Sequence, residues 1–191
     1  MLKKVLAATV LTMGSSLALA GTMGTPCPTY NYQVGPYLGG SIGPMVNVAG
    51  APSFYQGFTG TLSAGWGQVW NNQWYLAGEF FGGSNIKMKS GSTLGNFTSV
   101  DSTWNWGFDV LPGIMLNERV LGYARVGVIS THFNVISETK TGWQVGVGGQ
   151  TNVYQNLDLR GEYIYSQYSD IDFVGTPRTN QFQVGLIYKF A

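Results

Sequence analysis

The sequence predicts an all-β fold, an eight-stranded antiparallel up-and-down transmembrane β-barrel. Three observations lead there. The N-terminus reads as an export leader. The composition is poor in charge and rich in aromatics without an apolar run long enough for a spanning helix. Eight period-two segments follow, joined by connections that alternate between short and long.

The leader is "MLKKVLAATVLTMGSSLALA": two lysines, an apolar run, then Ala18-Leu19-Ala20 with small residues at the cleavage positions. The organisation read from this is a signal peptide over 1–20, a short periplasmic N-terminal segment over 21–32, and a barrel over 33–191. Gly21, not cysteine, follows the proposed cut, which argues against a lipoprotein. Losing Lys3 and Lys4 turns the formal charge from +1 to about −1, so no basic surplus points to a nucleic-acid partner. Cys27 is the single cysteine, either a free thiol or half of an intermolecular bond. One His and one Cys supply no conventional metal site, and no cofactor is expected.

Only 10% of residues are charged, against about 25% in ordinary soluble domains. Aromatics reach 14%, with 28 glycines, and past residue 20 no apolar stretch approaches the ~18 residues of a membrane helix. The predicted strands are 33–43, 58–70, 74–84, 103–116, 120–132, 141–154, 157–169 and 179–190. Most exceed slightly the ~9–11 residues a tilted strand needs to cross a bilayer. Tight joints fall at 71–73, 117–119 and 155–156, longer ones at 44–57, 85–102, 133–140 and 170–178. Such alternation puts the short joints at the periplasmic end, with both termini, and the longer ones outside.

Parity decides which face meets solvent. In 103–116, Trp104, Trp106, Phe108, Val110, Pro112, Ile114 and Leu116 oppose Asn105, Gly107, Asp109 and Gly113. In 180–190, Phe182, Val184, Leu186, Tyr188 and Phe190 oppose Gln181, Gln183, Gly185 and Lys189. An eight-stranded interior has room only for side chains, so small and polar residues are expected inside and the large aromatics outside, in lipid. Membrane-interface girdles follow: Trp66, Trp70, Trp74 and Tyr188 at the periplasmic side, Trp104, Trp106, Trp143 and Tyr165 at the outer side. The glycines of "VGVGGQT" are read as strand glycines facing a crowded lumen rather than a phosphate cradle. Pro112 predicts a bulge or local irregularity.

On the residues "YLGGSIG", "LPGIML", "GYARVGV" and the aromatic-ended last strand, the chain resembles the small eight-stranded outer-membrane barrels of the OmpA-like transmembrane domain and opacity-type porin superfamily. The resemblance implies an integral outer-membrane location in a Gram-negative cell, periplasmic termini, and assembly by the barrel-assembly machinery, with Phe190 as the recognised aromatic. Ala191 follows it, displacing that signal by one residue. The resemblance implies no single activity, because the scaffold carries adhesins, anchors, narrow channels and a few enzymes.

Charged residues inside strands mark the lumen. Glu79, Asp109, Arg125, Asp158, Arg160, Glu162 and Lys189 all fall on the inward parity, predicting an ion-pair network around Arg125. His132 and Ser130 lie on the outward parity near the outer rim. Lipid A deacylases carry His-x-Ser, whereas this chain has the reverse order, so a rim histidine is the plainer reading, with Glu138 as the residue that would orient a catalytic imidazole.

The function expected is structural or surface-interacting, adhesin-like, through external loops, and not enzymatic. A narrow channel for ions or small solutes is the alternative, and a lipid A deacylase-type enzyme a distant one. Partners expected are outer-membrane lipid and lipopolysaccharide, the assembly machinery, and a host or surface ligand at loop 44–57, with Pro44, Met45, Pro52, Phe54 and Tyr55, or loop 85–102, with Lys87 and Lys89.

Overall fold

The computed structural model describes residues 35–49, 53–71, 73–92, 102–133, 138–169 and 176–190. The expected leader, the 21–32 segment, Cys27 and Ala191 lie outside them. Eight strands form: β1 Gly35–Ala49, β2 Ser53–Trp70, β3 Trp74–Ser92, β4 Ser102–Met115, β5 Val120–Phe133, β6 Glu138–Tyr154, β7 Leu157–Tyr168 and β8 Arg178–Lys189. Each pairs antiparallel with its neighbours, and β1 closes on β8 from Tyr37↔Lys189 to Val48↔Arg178, making a barrel. Closure satisfies every strand edge within the wall, which is what hydrocarbon demands of a β structure.

Residues 71–73, 116–119 and 155–156 make the short joints at one end, called here the turn end, where β1 also begins and β8 stops. Local chemistry makes these turns. Asn71 and Gln155 hold positive φ, 50° and 38°, and asparagine tolerates that region because its side chain bonds locally. Asn117 Oδ1 accepts from the backbone N–H groups of Arg119 and Val120, both at 2.8 Å.

The opposite, loop end departs from expectation. Residues 44–57 are not a long loop: β1 runs on to Ala49 and β2 starts at Ser53, paired residue for residue to Ala49↔Ser53. Pro44 and Met45 are strand residues, and Met45 is buried in the lumen. β3 likewise continues past Ser84 to Ser92, so Lys87 and Lys89 are strand residues. Turn-forming glycines and prolines in these stretches suggested loops, but pairing with an already formed neighbour overrides that weak local preference. Pro52 and the side chains of Phe54 and Tyr55 lie outside the described residues.

Pro112 produces no register shift. Val110↔Val126 and Gly113↔Tyr123 keep one register across it. Its missing N–H interrupts the β5 side of the ladder without displacing the strand.

The wall faces outward with large apolar groups, including Ile42, Leu62, Phe80, Phe108, Val128, Val147, Phe182 and Leu186. Inside, the expectation of a purely small and polar filling is corrected. Near the turn end Tyr37, Tyr75, Ala77, Leu111, Met115, Leu121, Tyr123 and Ile187 pack into an apolar plug. Glycine makes the room: a Cβ on Gly65 would lie 2.5 Å from the Tyr37 ring, and one on Gly148 2.6 Å from that of Tyr123. A small interior can therefore hold large rings wherever the facing strand has no side chain.

Candidate functional site

Above the plug lies an ionic belt. Glu79 and Asp109 are register partners on β3 and β4, so their inward carboxylates stand side by side. Neighbouring like charges in a dry interior need a cation between them. Arg125 of β5 supplies it: Nη1 donates to Asp109 Oδ2 at 2.5 Å, and Nη2 donates to Glu79 Oε1 at 2.6 Å and to Glu162 Oε1 at 2.8 Å. Gly127 is the register partner of Asp109 on β5, two residues from Arg125. A Cβ there would fall 2.1 Å from Asp109 Oδ1 and 2.2 Å from Phe108 O, so glycine leaves the room over β5 that the carboxylate occupies.

Arg160 of β7 is the second cation. Its Nη1 donates to Glu79 Oε2 at 2.6 Å, while Nε and Nη2 donate to Gln150 Oε1. The guanidinium carbon lies 5.5 Å from the Tyr37 ring centroid and 5.6 Å from that of Tyr123. The two phenols also donate to the belt, Tyr37 to Glu79 Oε2 at 2.9 Å and Tyr123 to Glu162 Oε1. Glu79 thus links both arginines, and the plug tyrosines are its lower half-shell. Charge-assisted bonds of this kind are roughly twice as strong as neutral ones. Together they satisfy groups that would be very costly to bury alone.

Asp158 and Lys189 pair separately, nearer the turn end. Gln150 Nε2 donates to Asp158 Oδ2 at 2.6 Å, and Asn152 Nδ2 to Asp158 Oδ1 at 2.9 Å. Gln150 therefore joins this pair to Arg160. Toward the loop end an amide layer covers the belt. Gln144 Nε2 donates to Asp109, Gln183 Nε2 to Thr61 Oγ1 and Gln181 Oε1, and Thr179 Oγ1 to Asn47 Oδ1. Beside it Phe81, Ile129 and Tyr168 form a small apolar cluster. A cavity of about 10 Å³ lies between belt and amide layer, lined by Arg125, Gln144, Thr61 and Gln183 among others. It has room for one water.

All seven charged residues named from the sequence are thus in the lumen, five in the belt and two in the separate pair. Sequence reasoning missed Tyr37 and Tyr123 as members, and the part of Gln144 and Gln150. The signal was present: Tyr123 shares parity with Arg125 two residues on, and Tyr37 shares it with Gly39 and Ser41.

On the outer wall, Trp66, Trp70, Trp74, Trp104, Trp106, Trp143 and Tyr188 are exposed, and Tyr165 is half-buried. Phe190 follows β8, exposed, its N–H donating to Pro36 O at 2.9 Å and its ring edge-on to Tyr188. His132 stacks on Trp104, centroids 5.5 Å apart and 11° from parallel, and its Nδ1 lies 3.2 Å from Thr139 Oγ1. The side chain of Glu138 lies outside the described residues.

The sequence pattern of the outer membrane protein beta-barrel domain matches residues 7–190. Among solved structures, Neisserial surface protein A superposes with a TM-score of 0.59 at 19% identity, covering 81% of this chain and 97% of that one. Ail, the attachment invasion locus protein of Yersinia pestis, gives 0.51 at 19% identity, covering 83% of this chain and all of its own. At these identities the likeness is one of fold. No curated protein sequence matches this chain.

Proposed function

This chain belongs to the outer membrane protein beta-barrel domain family, and from that premise we propose a structural or surface-interaction role, adhesin-like, exercised at the loop end. In this reading the loop end faces outward, and the turn end, with both termini, faces the periplasm. The short joints support that orientation. The assembly machinery is the expected partner of Phe190 during insertion.

The observation that carries the reading is the unequal height of the wall. β3 pairs with β4 only as far as Ser84↔Trp104, yet continues against β2 to Ser92↔Ser53. Eight further residues at ~3.3 Å each carry β3 about 26 Å beyond that last pair. β3 stands above the β4 side of the rim as a ribbon with β2, while β1 on the other side of β2 stays in the closed wall, paired with β8 to Val48↔Arg178. Of the regions 44–57 and 85–102, proposed as the contact surface, residues 44–49, 53–57 and 85–92 are strand rather than loop. Paired strands present a surface partner with a preformed platform, at lower ordering cost than a free loop.

The test is adhesion of bacteria expressing the protein to epithelial monolayers and immobilised matrix proteins. Shortening β3 to Ser84 and β2 to its register partner Gly60, with β1 left whole on β8, is expected to abolish adhesion while the barrel keeps its heat-dependent gel mobility. Adhesion no greater than that of a strain without the protein, or unchanged by the truncation, overturns the reading.

A narrow channel is the second reading, favoured by the charged lumen and its small cavity. Against it stands the apolar plug, which an ion would cross unsolvated. Planar-bilayer recording is expected to give no steady conductance. The role proposed is non-catalytic, since His132 is engaged by Trp104 and Thr139. Expression is expected to leave lipid A mass unchanged.

A further inference from the structure

We propose that the outward face of β6, β7 and β8 toward the loop end binds the phosphorylated sugar headgroup of an outer-leaflet glycolipid. This goes beyond the adhesive role and rests on the orientation given above.

Trp143, Gln167 and Arg178 are consecutive register partners on β6, β7 and β8, all on the outward parity. They form one row of indole, amide and guanidinium, with neighbours a strand spacing of about 4.8 Å apart. Arg178 is exposed, and among the described outward side chains of the strands it is the one charged group. A cation on the lipid side is costly at the membrane midplane and nearly free at the interface, so a wall that carries one carries it at headgroup height.

The row is buttressed and recessed. Tyr165 O–H donates to Gln167 Oε1 at 3.3 Å, and its ring lies 5.8 Å from Trp143. Asn180, in register with Tyr165, accepts from Tyr163 O–H at 2.6 Å. A surface cavity of about 350 Å³ opens beside the row, walled by Thr141, Trp143, Gln167 and Ser169 over Gly142 and Tyr168.

Each group matches one part of a phosphorylated glycolipid. The indole stacks on the apolar face of a sugar ring, as aromatic faces do with flat apolar surfaces. The amide and hydroxyls meet sugar hydroxyls, and the guanidinium takes phosphate through paired N–H bonds. Toward the turn end the same wall continues as Val145, Val147, Tyr163 and Phe182, an apolar track for acyl chains. Polar row and apolar track, in that vertical order, fit an amphiphile anchored in the leaflet rather than a free sugar phosphate. The β1 wall, in register with β8, differs: Val46 is the partner of Asn180.

The test is native mass spectrometry of the full chain in detergent with diphosphoryl lipid A and with its dephosphorylated form. Wild type is expected to retain the diphosphoryl form about tenfold more tightly. Arg178→Gln, at an exposed position that leaves folding intact, should remove that preference and leave binding of the dephosphorylated form unchanged. Trp143→Leu should weaken both forms. Equal retention of the two lipids by wild type, or no change in Arg178→Gln, means annular lipid only and overturns the proposal. Orientation is read separately: Thr176→Cys in a Cys27→Ser background should react with a membrane-impermeant maleimide on intact cells. Failure to react overturns the orientation and this site with it, whereas failed adhesion in the truncated ribbon leaves this site standing.

Discussion

The two halves of the lumen are built from the same alternation and filled in opposite ways. At the turn end the inward positions of β1, β3, β4, β5 and β8 carry Tyr37, Tyr75, Leu111, Met115, Leu121, Tyr123 and Ile187, which exclude water by packing. At the loop end the inward positions of β1, β2, β6 and β8 carry Asn47, Thr61, Thr179, Gln181 and Gln183, which are held by hydrogen bonds among themselves, and Gln144, which donates to Asp109. The belt of Arg125 and Arg160 lies between, its carboxylates taking phenol donors from below and an amide donor from above. A charged layer inside a membrane thus rests on a dry floor and under a polar lid. On the lid side there is a space for water.

The largest effect is expected at the belt itself. Arg125→Ala takes a cation from three carboxylates, leaving Asp109 held by the Gln144 amide, and should lower unfolding free energy by about 3–5 kcal/mol, measured as the urea midpoint of the gel-mobility transition. A neutral result would mean the carboxylates are protonated or solvated. In the floor, Leu111→Ala should cost about 2–5 kcal/mol through the cavity it leaves, and should keep the barrel non-conducting while the belt persists. Under the lid, Gln144→Leu removes the amide donor to Asp109, an expected loss of about 1–3 kcal/mol in the same assay. The smallest effect belongs to the lid's edge, where Thr61→Ala gives up one hydrogen bond from Gln183 and should cost about 0.5–1.5 kcal/mol. If floor and lid substitutions cost the same, the distinction between packed and hydrogen-bonded halves fails.

Much of this was legible without coordinates because strand parity is insensitive to errors in strand ends. Moving the start of β4 by a residue leaves Asp109 opposite Phe108 in facing, and the same holds for Arg125 beside Val126. The short joints were legible too, through the turn chemistry of Asn71 and Asn117. The height of β1–β3 was not. Gly43, Pro44, Gly50, Pro52 and Gly57 look like loop punctuation, yet the strands run through Gly43, Pro44 and Gly57, which lie in pairs such as Pro44↔Phe58 and Met45↔Gly57. Nor was the floor legible. That Tyr37 and Tyr123 point inward follows from parity, but the space for them comes from Gly65 and Gly148, each on a neighbouring strand.

By itself, then, the sequence determined the number of strands, the direction each side chain takes, and an oily exterior around an ionic interior, since these follow from a period of two and from what lipid and a sealed lumen tolerate. Only the tertiary structure decided which carboxylate meets which guanidinium, that tyrosines close one end, and that β3 runs on past its last pair with β4. Those depend on register between strands, a property of pairs that no single segment carries.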